Sequence, residues 1–187
     1  HKISPTIHTA KRNFFRSVVT NWDKIDLNFS DDKFPPEKTI YLTLFKNNGI
    51  DLNNDVSIIN ETISKKNKIH YVWDASCNFF DGCKISKRKI SELYTLLSNK
   101  PYKLKQGFLD FWVPSFLFIQ RNEFALFNEN GYIPNINEEV IELIGKYPDK
   151  FEVKTFDIDG VKLDIFNSYR SFLNQEEKVK FTNTTFI

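Results

Sequence analysis

The sequence predicts an α+β domain dominated by helices, with a winged-helix-like centre, a C-terminal β-hairpin and a closing helix. Three observations carry that expectation. Several segments place apolar residues at helical spacing, two short strand-like segments flank the turn sequence Asn128-Glu129-Asn130-Gly131, and two alternating segments flank Asp159-Gly160. With 187 residues, 41% hydrophobic content and 19 Phe, the chain can bury a substantial core. That core is expected either in one continuous domain or in two packed parts, 1–83 and 84–187.

Residues 1–33 are largely polar and rich in Asn and Asp, with one apolar helical candidate around Phe14, Phe15, Val18, Val19 and Trp22, whose spacing predicts an arm that docks. In "FPPEKTIYLTLFKNNGI", Pro35 and Pro36 suit a helix start and Glu37 favours its positive end. Ile40, Tyr41, Leu44 and Phe45 form one stripe and Gly49 supplies a stop, so the helix is expected over 36–48. The Val56, Ile59, Ile63 pattern predicts a short helix within 51–68, and a further helix spans about 70–79. Ile90, Leu93, Tyr94 and Leu97 share a helix face, with Ser86 as N-cap and Asn99-Lys100-Pro101 as the stop.

"LKQGFLDFWVPSFLFIQ" then predicts an almost wholly apolar helix kinked near Pro114. "EFALF" and "GYIP" make a hairpin, so helix, turn, helix and hairpin give the winged-helix plan over about 84–134. Asn137 caps "EEVIELIGKY". "FEVKTFDI" and "VKLDIF" form the C-terminal hairpin about Asp159-Gly160, and 167–176 closes the fold.

Several chemistries are argued against. "KTFDIDGVKLDIF" has the Asp-x-Asp lettering of a haloacid-dehalogenase phosphatase, with Asp157 as nucleophile. The sequence after Gly160 is too short for the rest of a doubly wound sheet, and Val161-Lys162 replace the usual hydroxyl residue. Asp149, Glu152 and Lys154 have the letters of a metal-dependent nuclease, yet only two residues separate Asp149 from Glu152, which puts all three on one strand where such groups normally come from two adjacent strands. His70, Asp74, Cys77 and Cys83 allow a zinc site to be drawn, but without paired C-x-x-C knuckles buried, inert cysteines are the commoner outcome. No phosphate-binding loop and no Ser/His/Asp set is present, so neither a catalytic role nor a cofactor or metal is expected.

Lys+Arg 26 against Asp+Glu 24 leaves a net charge of +2, so any contact with nucleic acid must come from a local patch. Two cysteines give no disulfide framework and fit a cytoplasmic location. No apolar run is long enough to span a bilayer, and no membrane partner is expected. The complete lack of Met, even at position 1, points to a segment of something longer.

Lys84, Lys87, Arg88 and Lys89 form the patch. Four cations at a predicted helix N-terminus oppose the helix dipole unless a phosphate or acidic partner compensates. They are the expected contact edge for DNA or another polyanion, with Arg121 beside the hairpin as an extension. The apolar helix argues the other way, because a groove-reading helix presents polar and basic side chains. The rival is therefore a protein–protein module in which surface around Phe111, Trp112 and Phe116 meets a partner or another domain of the parent protein.

The order "FPPEKTIYLTLFKNNGI", Trp73-Asp74-Ala75, "SELYTLLSNKPYKLKQGFLDFWVPSFLF" and "EFALFNENGYIPNINEEVIELI" resembles an accessory region of large multidomain bacterial ATPases, some thought to act in mobile-DNA or phage defence. The resemblance covers about residues 34–151 and carries no catalytic motif. It implies an accessory part of a cytoplasmic protein whose ATP-hydrolysing machinery lies elsewhere in the parent.

Overall fold

The computed structural model describes residues 5–66 and 68–155. In chain order their elements are α1 (Pro5–Asn21), α2 (Pro36–Leu44), α3 (Val56–Thr62), α4 (Ile69–Gly82), β1 (Arg88–Lys89), α5 (Ile90–Ser98), α6 (Gln106–Ile119), β2 (Phe124–Asn128), β3 (Gly131–Ile133), α7 (Glu138–Lys146) and β4 (Glu152–Thr155). The architecture is mixed α+β and helix-dominated, with one small antiparallel sheet in the order β1-β4-β2-β3.

Helix α6 explains the core. Its residues from Leu109 to Ile119 are all buried, with α1, α5 and α7 packed against it. Trp112 stacks on Phe45 and Phe108, with ring centroids 5.9 and 5.6 Å away, and meets Trp73 edge-on at 6.5 Å. Its indole N–H donates to Ser76 Oγ at 3.1 Å, and that hydroxyl donates to the Val72 carbonyl at 2.7 Å. Each large side chain buried in this way contributes about 1.5–3 kcal/mol.

The arm docks as its spacing predicts: Phe14 is stacked on Phe45 and edge-on to Phe111. One cluster of buried residues runs from Phe14 to Val153, so residues on both sides of position 83 share a core.

Helix α2 ends earlier than the expected residue 48. The Asn48 side-chain amide donates to the carbonyls of Thr43 and Leu44, and a 3-10 turn covers Lys46–Asn48. Lys46 Nζ is held 2.6 Å from Asp51 and 2.9 Å from Asp26, tying this turn to the segment after α1. Gly49 follows at φ +80°, where an added Cβ would lie 2.1 Å from the Thr62 carbonyl oxygen. Only glycine fits both the conformation and the approach.

The larger departure concerns α5, which starts at Ile90. Ser86 is not its cap, and Lys84–Lys87 form a turn leading into β1. Distant pairing is the cause. Arg88 and Lys89 align with Val153 and Glu152, the Ile90 N–H donates to the Phe151 carbonyl, and Thr155 N–H donates to that of Cys83. The four cations thus precede the helix, and Glu92 serves its first turn by accepting the Lys89 N–H at 3.0 Å.

The hairpin β2–β3 forms as expected, with Asn128 opposite Gly131. Asn137 caps α7 by accepting the Val140 N–H at 2.9 Å. Strand β4 is antiparallel to both neighbours, unlike the parallel leading strand of a doubly wound sheet. The expected turn at Asp159-Gly160, Asp157 and the closing helix at 167–176 lie outside the described residues.

Candidate polyanion interface

Strand alternation sorts the sheet into two faces. Val153, Thr155, Phe124 and Leu126 are buried against the helices. The opposite set is Lys89, Glu152, Lys154, Ala125, Phe127 and Tyr132, of which Ala125 is itself buried, and the registers Lys89↔Glu152, Glu152↔Phe127 and Phe127↔Tyr132 align four of them in one row across the strands. Lys87 joins this face, because its ammonium lies 3.5 Å from the centroid of the Phe127 ring.

The five cations expected from sequence therefore have different fates. Lys87 and Lys89 are exposed; Lys89 lies near the Glu92 carboxylate and opposite Glu152. Lys84 is exposed in the preceding turn, 3.3 Å from Asp81. Arg88 shares the inward-facing row with Val153. Its guanidinium lies 4.1 Å from the Phe79 ring centre and donates to Glu92 at 2.9 Å. Arg121 does not extend the edge: it is only 5% exposed, donates to the Phe118 carbonyl at 2.7 Å and lies over the Trp22 and Phe118 rings. Burial pulls its pKa down to about 10, which still leaves it charged near neutrality.

Lys154 belongs to the face and was not in the expected patch. Its Nζ donates to the Lys84 carbonyl at 2.7 Å, fixing the lysine beside the turn. The alternation of "FEVKT" already placed it opposite Val153; what the sequence lacked was the pairing of β4 with β1. Asp81, Glu92 and Glu152 offset part of the positive charge.

Glu152 and Lys154 project from the same face of one strand, but Asp149 does not share that strand as its spacing suggests: Pro148 opens a 3-10 turn that holds it before β4 begins. No group of three His, Cys, Asp or Glu is gathered for a metal among the described residues. Burial, with Asp74 and Asp81 nearby, pushes the Cys77 thiol up to about 12. Burial likewise pushes Cys83 up to about 11, and its thiol donates to the Phe79 carbonyl. Neither is a ready thiolate at neutral pH. The aromatic surface expected around Phe111, Trp112 and Phe116 is not exposed: the three are buried, at 7%, 1% and 1% exposure. No helix among the described residues is long and apolar enough to cross a membrane.

Compared with family models, with curated proteins and with solved structures, the chain matches none.

Proposed function

We propose that this chain is a non-catalytic module that binds nucleic acid or a similar polyanion through the outward face of its sheet. Within the resemblance noted above, it would serve as a contact part of a larger cytoplasmic ATPase-type protein. The observation that carries the reading is the convergence of Lys87, Lys89 and Lys154 on one face from two strands and the turn before them. Ammonium groups so placed can neutralise successive phosphates and release their counterions.

The burial of α6 favours a contact made by the sheet over one made by an inserted recognition helix. The helix, β1, helix, helix, hairpin order supports the winged-helix-like description, with β4 added between β1 and the hairpin. The rival docking reading loses the aromatic surface on which it rested.

The test is titration of labelled DNA at two salt concentrations with wild type and the Lys87→Gln, Lys89→Gln double variant. Log affinity should fall with log salt at a slope of about −2 to −3 if three phosphates are neutralised. The variant should bind more weakly with a shallower slope. Absence of binding at low salt, or binding indifferent to both substitutions, overturns the proposal.

A further inference from the structure

We infer that the ligand of this face is a single strand of nucleic acid whose bases stack on Phe127 and Tyr132 while Lys87, Lys89 and Lys154 hold its phosphates. The inference rests on the proposed function and narrows it. A surface made for charge alone needs no rings, yet here the lysines share their face with a cross-strand aromatic pair. Phe127 is directly opposite Tyr132, with ring centroids 5.8 Å apart and planes tilted by 59°. Both are half-buried, so their edges are anchored in the sheet.

The row Lys89, Glu152, Phe127, Tyr132 crosses three strand spacings, about 14 Å. That length accommodates a few nucleotides at roughly 3.4 Å each when stacked. Lys89 and Lys154 lie on the β1 and β4 side and the rings on the β2 and β3 side, with the Lys87 ammonium bridging them over Phe127, an arrangement complementary to a strand with phosphates on one side and bases on the other. Glu152, between them, repels phosphate and can accept a hydrogen bond from an exocyclic amine of a base.

The Lys87 contact fits an exchange on binding. In the free chain its ammonium covers the Phe127 ring. An exposed ammonium–ring contact is weaker than a base–ring stack, so an incoming base can displace it. The flexible lysine stem then lets the released ammonium meet the adjoining phosphate. A duplex cannot make this exchange, because its base faces are already stacked on one another.

The test compares a labelled oligothymidylate of about 15 nucleotides, an oligouridylate of the same length, a DNA duplex and heparin, each against the full 187-residue chain. Wild type is measured beside Phe127→Leu, Phe127→Tyr and the Lys87→Gln, Lys89→Gln variant, with thermal melting to verify folding. The single strands should bind about fivefold or more tighter than the duplex, and Phe127→Leu should remove about that advantage. Phe127→Tyr should retain it, and binding to duplex and heparin should be unchanged by either. The relative affinities of the two oligonucleotides identify DNA or RNA as the better source of the same chemistry. Equal affinity for strand and duplex, or no effect of a folded Phe127→Leu chain, overturns the inference. If the lysine variant still weakens every polyanion, the proposed function survives that result. If none of the four probes binds at low salt, both readings fall.

Discussion

The guanidinium of Arg121 lies 4.3 Å from the centre of the Trp22 ring, so an arginine just after α6 is locked to the end of the N-terminal helix. A second ring, Phe118, lies at 4.5 Å, and the Phe118 carbonyl accepts a hydrogen bond from Nη1. This is a structural cation, held by flat surfaces and a carbonyl that suit a planar fork better than an ammonium.

Arg121→Ala should therefore lower unfolding free energy by about 2–3 kcal/mol in a urea titration, through lost packing, lost cation–π contacts and an unpaired carbonyl. Arg121→Lys should recover only part of it. Oligonucleotide affinity of the folded variant should stay within about twofold of wild type, because the side chain faces the core.

Gly49→Ala should be damaging although only a methyl is added. The new Cβ would lie 2.1 Å from the Thr62 carbonyl oxygen, at φ +80°. A loss of about 2 kcal/mol or more is expected in thermal or urea unfolding. Gly107→Ala, where a Cβ meets nothing within 4 Å and the residue lies inside α6, should be neutral or slightly stabilising by the same measurement.

Ser76→Ala leaves the Trp112 indole N–H without its acceptor in a dry environment. The expected loss is about 1–3 kcal/mol. A double-mutant cycle with Trp112→Phe should show coupling, with the Ser76 substitution less damaging once the donor is absent. Additive losses would mean that the hydrogen bond has little net value.

Glu92 gives a pH-dependent test. Partial burial opposes ionisation, but the Lys89 N–H and the Arg88 guanidinium outweigh it and hold the carboxyl below its usual pKa. Its stabilising contribution is thus complete above the unfolded-state pKa of about 4.3 and is lost as pH falls through the lower folded value. The stability difference between wild type and Glu92→Gln, measured by urea unfolding, should be constant near neutrality and shrink below about pH 4.

Elements fixed by neighbours in sequence were legible from it. The hairpin turn, the Asn137 cap and the stripe of α1 each need only a few consecutive residues, and each lies where its pattern places it. The start of α5 was not legible, because Ser86 has the chemistry of a cap while the competing contact comes from β4, far along the chain. The same long-range pairing decides which cations face outward. The basic run was visible, but Arg88 turning inward and Lys154 joining the face required the register of β1 on β4. Arg121 was misplaced for an equivalent reason: its partner Trp22 comes from the opposite end of the described chain.

The position of β4 between β1 and β2 also sets an order of assembly. A ribosome delivers the two outer pieces of the sheet before the strand that joins them, so β1 and the β2–β3 hairpin wait with open edges until Glu152–Thr155 emerges. Closing the sheet then requires a contact between segments of large sequence separation, which slows folding relative to the locally connected helices. A nascent chain stalled before Phe151 would present two unsatisfied strand edges beside an uncovered aromatic core, a state that invites pairing with another chain.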